Sequence, residues 1–130
     1  MAGRVVHFEV PYDDADRARA FYSEVFGWAI EPMPALDYDF VQTGPVDASS
    51  GMPVEPGFIG GGMFQRHPDA ARPVITIDVD DMQRALATIV EHGGAAVGEP
   101  QQVGDMGIAG YFTDSEGNLM GLWQTLGQGQ

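Results

Sequence analysis

The feature that most constrains the fold is an internal repeat. Residues 5–10 (VVHFEV) and residues 74–79 (VITIDV) both carry the alternating apolar pattern of a strand, and an acidic stretch and a helical pattern follow each of them. Glycine follows each helical pattern, and the segments that begin there also correspond, as residues 27–32 (GWAIEP) and 94–100 (GAAVGEP). The sequence therefore predicts one structural unit used twice.

Each unit is predicted to have the order β-α-β-β-β. In the first unit, acidic residues at 13–16 begin a helix that Gly27 ends, and the predicted later strands are residues 28–30, 38–43 and 57–65. In the second unit, a helix over 80–91 is followed by predicted strands near residues 94–100, 111–113 and 121–124. The last strands correspond as GMFQ and GLWQ.

The length of 130 residues suits one domain. We predict a single α+β domain over residues 1–130, with module one at about 4–65, a linker at 66–72 and module two at about 73–125. Two such modules are expected to form a half-open barrel with the helices outside and a cavity between the sheets. The alternative is a ferredoxin-like sandwich whose interior is only core.

The charge of the chain excludes several classes of partner. Nineteen acidic and six basic residues give a formal net charge of -13, which repels nucleic acid and anionic lipid surfaces. There is no cysteine, and no apolar run approaches the roughly 18 residues of a membrane-spanning helix. We expect a cytoplasmic protein with neither a nucleic acid nor a membrane as partner.

Several segments, in this order, resemble one known family. They are HFEV, FYSEVFGW, GGGMF, ITIDVDD and DSEGNLMGLWQ. Together these segments resemble the glyoxalase/bleomycin resistance/extradiol dioxygenase superfamily, also called the vicinal oxygen chelate superfamily. The resemblance extends over nearly the whole chain, from about residue 5 to residue 124, and it implies the half-open barrel already inferred from the repeat.

The resemblance also implies where a metal ion would be held. Metal-using members hold a divalent cation through one ligand from the first strand and one from the fourth strand of each module. Those positions fall here on His7, Gly62, Thr76 and Gly121. Because glycine has no side-chain donor, we expect no metal and no other cofactor. A metal-dependent lyase, isomerase or dioxygenase stays open as the alternative, and it would have to recruit other donors such as Glu9 or Asp78.

The same positions predict a binding cavity. If the two glycines face inward, they leave room beside aromatic side chains that form apolar walls. The residues predicted to bind a ligand are Tyr38, Phe40, Gly62, Phe64, Thr76, Asp78, Tyr111, Gly121 and Trp123. The alternative is that Phe64 and Trp123 only fill the barrel, with the glycines permitting sheet curvature.

His7 and Glu9 are the candidate catalytic residues. They share one face of the first strand, roughly 7 Å apart by strand geometry. A carboxylate near an imidazole raises its basicity, so the pair is suited to taking a proton from a bound molecule. The alternative is a polar patch that orients a ligand without reacting, so whether the protein is an enzyme stays open.

The leading functional hypothesis is a metal-independent protein that binds a small, partly aromatic organic molecule. It would either sequester the molecule, as resistance proteins do, or act on it weakly in a lyase or isomerase reaction. A structural or interaction domain with a filled cavity is a further alternative. We expect a homodimer, from the resemblance and because twofold pairing is the commonest symmetry. The loop at residues 45–56 fits either a lid over the cavity or an exposed turn.

Overall fold

The computed structural model describes residues 3–126 of the chain, so the outermost ends of the predicted domain lie outside the described residues. The chain divides into two compact units, one being His7–Pro73 and the other comprising the described residues on either side of it. Both have the order β-α-β-β-β, which confirms the predicted α+β class and the doubled module. No helix among the described residues is long and apolar enough to cross a membrane.

Module one is a four-stranded sheet with one helix. Its elements are β1 (Val5–Tyr12), α1 (Ala15–Phe26), β2 (Ala29–Met33), a 3-10 turn (Pro34–Leu36), β3 (Tyr38–Gln42) and β4 (Gly61–Gln65). The strand order is β2-β3-β4-β1. Strand β1 runs parallel to β4, whereas the other two pairs are antiparallel. The first and last strands of the module are therefore neighbours.

Helix α1 begins and ends as its sequence predicts. The Asp14 side chain accepts a hydrogen bond from the backbone N–H of Arg17, satisfying a donor that the first turn leaves free. Gly27 follows the last turn with φ of 72°, and its N–H donates to the carbonyl of Ser23. Glycine suits this left-handed position because it has no Cβ to clash with the preceding turn.

The orientation of α1 differs from the one expected from its apolar residues. Phe21 and Phe26 are 53% and 60% exposed, although helical spacing predicts that they pack against the sheet. The half-buried side of the helix instead carries Ala15, Ala18, Arg19 and Tyr22. The reason is an ion pair: the Arg19 guanidinium reaches the Asp39 carboxylate on β3, which is only 2% exposed.

Two strand boundaries in module one are also corrected. Strand β4 covers only Gly61–Gln65, because Gly57 has a left-handed φ of 110° that ends any extended run from residue 57. Strand β2 begins at Ala29, and Trp28 lies before it with its ring stacked on Tyr22 at a centroid distance of 4.7 Å. Aromatic stacking on the helix thus places the Trp28 ring.

Module two repeats the arrangement. Its elements are β5 (Val74–Asp78), α2 (Met82–Glu91), β6 (Ala95–Val103), β7 (Gly107–Thr113) and β8 (Leu119–Thr125), with the strand order β5-β8-β7-β6. Strands β5 and β8 are parallel, as β1 and β4 are in module one. The register of β6 on β7 shifts between Val97 and Gln101, at Gly98 in the left-handed region.

The core of module two lies between α2 and the sheet. Met82, Phe112 and Leu122 form a buried cluster against which Leu86 and Ile89 pack. Val90 is 58% exposed and lies outside this cluster. The side-chain oxygen of Gln124 accepts the backbone N–H of Met82, which places Gln124 on the helix side, opposite Gly121, as strand alternation predicts.

Candidate functional site

One face of the module-one sheet gathers the candidate residues of that module. Glu31, Phe40, Gly62 and Glu9 are successive Cα partners across β2, β3, β4 and β1. Directly paired residues point to the same side of a sheet, as do residues two apart on one strand. The side that carries His7, Glu9, Tyr38, Phe40 and Gly62 is called the site face below.

The Tyr38 phenol joins the two candidate catalytic residues. Its oxygen lies 2.7 Å from Nε2 of His7, and its O–H donates to Oε2 of Glu9 over 2.7 Å. Glu9 is 7% exposed, so this charge-assisted hydrogen bond forms largely out of contact with water. The side chains of His7 and Glu9 are therefore held through a third group, which their positions on one strand did not reveal.

Gly62 is the position that allows this arrangement. A Cβ atom built at residue 62 would overlap the hydroxyl oxygen and Cζ of Tyr38. The expectation that Gly62 leaves room for a ligand is wrong at that point, because the phenol occupies the space. The sequence singled out both residues, but only the pairing of β3 with β4 places one against the other.

Burial and charge act in opposite directions on His7. Its burial lowers the pKa of the imidazole below the usual value, and the negative charge of Glu9 offsets part of that effect. The larger influence is burial, so the neutral imidazole is favoured near neutral pH. A neutral imidazole carries one N–H donor and one bare nitrogen that accepts a hydrogen bond or a proton.

A small pocket opens at the β2–β3 side of the site face. It has a volume of about 200 Å³ and is lined by Ala29, Ile30, Glu31, Phe40 and Gln42. Tyr38 meets Phe40 edge to face at 5.9 Å and lies 6.5 Å from Phe64 between ring centroids. Glu31 was not among the predicted ligand-binding residues, and the signal that identifies it is its pairing with Phe40.

The module-two candidates share one face of their own sheet. Thr76 and Tyr111 are both Cα partners of Gly121, and Asp78 is the partner of Trp123. A Cβ atom at residue 121 would lie 2.6 Å from Oγ1 of Thr76, so this glycine also faces a side chain at close range.

The Trp123 indole has a hydrogen-bond acceptor within its own strand. Its N–H donates to Oγ1 of Thr125 over 3.1 Å. A buried indole N–H needs a hydrogen-bond partner, and Thr125 provides one, so no ligand is required to satisfy this donor.

The Arg19–Asp39 pair on the opposite face was missed from the sequence. Nε and a terminal nitrogen of Arg19 donate to the two carboxylate oxygens of Asp39 at 3.0 and 3.2 Å. This bond to Asp39 raises the pKa of Arg19 above its ordinary value. Asp39 lies between Tyr38 and Phe40 along β3, so strand alternation places it on the face opposite to theirs. That alternation was the signal available in the sequence.

Comparisons with known proteins agree with the architecture. Residues 4–44 match the family described as bleomycin resistance protein-like N-terminal. A glyoxalase/bleomycin resistance protein/dioxygenase superfamily member from Vibrio splendidus has a solved structure that covers 96% of this chain and 100% of its own, with a TM-score of 0.60 and 14% identity. The chain therefore shares the fold of this structure.

Two further proteins are similar to this chain. A Mycobacterium bovis protein named "Putative glyoxylase CFP32" is 26% identical over 117 residues, which cover 85% of this chain. The match spans only 41% of the length of that protein. A variant methylmalonyl-CoA epimerase of Streptomyces coelicolor, in complex with 2-nitronate-propionyl-CoA, has a TM-score of 0.64 and 17% identity, covering 96% of this chain and 99% of its own.

The donor set does not fit the metal centre that metal-using superfamily members carry. Among residues 3–126, no three His, Asp or Glu side chains are grouped so that they could hold an ion. On the site face, Nε2 of His7 and a Glu9 oxygen both bond the Tyr38 hydroxyl, and Gly62 offers no side-chain donor. A catalytic metal site needs about three converging protein ligands. The site face instead offers a phenol, an imidazole and a carboxylate bonded to one another.

Proposed function

We propose that this chain is a member of that superfamily and that it binds a small, partly aromatic organic molecule on the site face without the help of a metal ion. The observation that carries the proposal is the Tyr38 phenol in the space at Gly62, where it bonds His7 and Glu9. The position that would hold a chelating side chain is filled by a group of the protein itself. The site face therefore offers a surface suited to an organic ligand, with no chelating side chain at residue 62.

The composition of the site face supports an organic ligand. Phe40 is half-buried and provides flat apolar surface beside the Tyr38 ring, whereas Phe64 is buried with its ring centroid 6.5 Å from that of Tyr38. Small-molecule sites are usually concave and mostly apolar, with a few polar groups that fix orientation. The pocket of about 200 Å³ beside Phe40 is below the usual size for a drug-sized molecule, so the proposed occupant is a small compound or one aromatic group of a larger one.

His7 determines whether binding leads to chemistry. A neutral imidazole on the site face is suited to orienting a ligand, and also to taking a proton from it. We propose binding as the primary function and weak acid–base catalysis as its extension. A homodimer is proposed as the assembly on grounds of general symmetry preference.

The test is direct measurement of binding. Purified protein is titrated by calorimetry with a panel of aromatic metabolites and drugs, and the metal content is measured on protein prepared without chelators. We expect saturable binding with substoichiometric metal. Phe40→Ala should weaken the binding at least tenfold, whereas Phe26→Ala, which truncates an exposed ring on α1, should leave it unchanged.

Two results would overturn the proposal. The first is stoichiometric divalent metal, because the site face would then hold an ion despite its donor set. The second is the absence of saturable binding throughout the panel, since a structural or interaction domain would give that result.

A further inference from the structure

Helix α1 leaves an apolar side in contact with water. It fully buries none of its residues, whereas α2 buries Met82. Phe21 and Val25 are 53% and 56% exposed. A helix of 12 residues is marginal by itself and gains most of its stability by packing an apolar side against another element. Within the protomer α1 packs only through its half-buried side, so the exposed side is available to a partner.

Five exposed residues line that side of the helix. They follow one another at intervals of three and four, the spacing of the contact residues of a packed helix. They are Arg17, Ala20, Phe21, Glu24 and Val25, and this set is called the outer stripe below. Its middle is apolar, with a basic residue toward the N-terminal end and an acidic residue toward the C-terminal end.

Ring contacts already hold the Phe21 side chain in place. Its ring centroid is 5.1 Å from that of Tyr22 and 6.3 Å from that of Phe26. Tyr22 is in turn stacked on Trp28 at 4.7 Å. A side chain that is fixed before association loses little conformational freedom on binding. Phe21 is therefore suited to be the central apolar contact of an interface, where a few large side chains contribute most of the binding energy.

The two charged residues of the outer stripe have no ion-pair partner within residues 3–126. Arg17 and Glu24 are two helical turns apart, about 10 Å along the axis, which is too far for them to pair with each other. Their placement is also unfavourable for the helix itself. Arg17 lies in the first turn and Glu24 in the last, where the helix dipole favours the opposite signs. An external partner can give both charges a favourable contact.

A second copy of the same helix supplies that contact. When two α1 helices pack antiparallel about a twofold axis between Ala20 and Phe21, Arg17 of each copy lies at the level of the partner's Glu24. Phe21 then lies opposite the partner's Ala20, whose small side chain leaves room for the ring. Parallel packing would bring like charges together at both ends. The charge order of the outer stripe therefore selects the antiparallel arrangement.

The charge of α1 also suits contact between two copies of an acidic chain. Asp16 and Glu24 balance Arg17 and Arg19, so the helix has no net charge, although the chain has a formal net charge of -13. Repulsion between two copies is weakest where the facing surfaces are neutral. Helix α1 presents such a surface.

We infer that the outer stripe of α1 is the contact surface between two copies of this chain, packed antiparallel about a twofold axis. The inference rests on the homodimer proposed above and specifies its interface. Arg19 joins α1 to the Asp39 side of the sheet, so the contact lies away from the site face. One pair of helices buries less than the roughly 800 Å² per partner of a standard interface, so the dissociation constant should be micromolar or weaker.

Charge reversal tests the antiparallel pairing. Sedimentation equilibrium over roughly a hundredfold range of protein concentration gives the Kd of the dimer. Arg17→Glu and Glu24→Arg should each weaken the dimer at least tenfold, because each brings like charges together at both ends of the contact. The double variant should restore the native Kd to within about threefold, since the pairs are then re-formed with their signs exchanged.

The two single reversals control for each other. Arg17→Glu makes the chain more acidic and Glu24→Arg makes it less so, which means that repulsion between whole chains would weaken only one of the two dimers. Both reversals also improve the fit of the charges to the helix dipole, so neither should unfold α1. A weaker dimer in both variants therefore reports the contact itself.

Truncation tests the apolar part of the outer stripe. Phe21→Ala should weaken the dimer at least tenfold. Val25→Ser should weaken it about threefold, whereas Val90→Ser, the same change on α2 of module two, should leave the Kd unchanged. Val90 is a matched control because it is 58% exposed and Val25 is 56% exposed. Circular dichroism of each variant checks that the helices are retained.

The outcomes separate this interface from the homodimer and from ligand binding. A native dimer whose Kd is insensitive to the changes at Arg17, Phe21 and Glu24 would overturn the inference and leave the homodimer standing. Failure of the double reversal to restore the dimer would overturn the antiparallel arrangement. A native protein that is monomeric at every concentration would overturn both the interface and the homodimer, while calorimetry would still decide whether the site face binds a ligand.

Discussion

Replacing Gly62 by alanine should displace the Tyr38 phenol. The added methyl group overlaps the hydroxyl oxygen and Cζ of Tyr38, so small shifts of the ring do not relieve the contact. The backbone at residue 62 is extended and tolerates alanine, which means that the effect comes from the overlap and not from strain at φ. The variant should therefore lose both hydrogen bonds of the phenol.

The expected loss in the free energy of unfolding follows from those two hydrogen bonds. A hydrogen bond to a charged group contributes about 1.5–3 kcal/mol, and a neutral one about 0.5–1.5 kcal/mol. The lower entropy of the unfolded chain with alanine offsets about 0.4–1 kcal/mol. The net loss in the free energy of unfolding is then roughly 3 kcal/mol, or about 10 °C in Tm for a chain of this size.

Urea unfolding followed by circular dichroism measures the loss, and a double-mutant cycle identifies its cause. In a Tyr38→Ala background the phenol is absent, so Gly62→Ala should cost almost nothing. Gly121→Ala is the equivalent change in module two, where the contact is with the short Thr76 side chain at 2.6 Å. It should cost less, roughly 1 kcal/mol. An equal loss for Gly62→Ala in both backgrounds would refute the assignment of the phenol to this space.

Two further perturbations address the pH dependence and the helix contact. Because burial lowers the pKa of His7, the unfolded chain binds a proton that the folded chain does not, between that lowered value and the unfolded value of about 6.5. The free energy of unfolding should therefore rise with pH through this window. His7→Gln should flatten that rise when urea unfolding is measured over a series of pH values. If the variant shows the same dependence on pH as the native protein, His7 is not its cause. Arg19→Met should cost about 3 kcal/mol, because it leaves the buried Asp39 charge unpaired, and adding Asp39→Asn should recover much of the loss. If Arg19→Met is as stable as the native protein, the Arg19–Asp39 ion pair is not needed for stability.

The elements of the fold were predictable because their signals are local. Asp14 and Gly27 lie at the two ends of α1, and the cap interactions they make span only three or four residues. The internal repeat then predicted that the strands and helix of module two follow the same order as those of module one. The side of α1 that faces the sheet was not predictable from apolar spacing, since it is set by Arg19 reaching Asp39, a pair 20 residues apart in the chain.

The candidate site was predictable only in part for the same reason. Alternation within β1 placed His7 and Glu9 on one face. Tyr38 bridges His7 and Glu9, which precede it by 31 and 29 positions in the sequence. Glu31 lies on the site face because β2 pairs with β3. Such contacts depend on which strands become neighbours and in which register, and one strand's pattern carries no information about that. Tyr38 could be named as a candidate, but its function as a bridge could not.

The close fit between Gly62 and the Tyr38 ring limits the order in which mutations can accumulate in this lineage. A glutamate at position 62 would give β4 a chelating side chain, yet no larger residue fits there while the ring is present. Tyr38 would have to be replaced first, and that step removes the bridge between His7 and Glu9 before any new ligand exists. An evolutionary route from this protein to a metal-using relative therefore passes through a less stable intermediate, which selection against unstable proteins makes harder to cross.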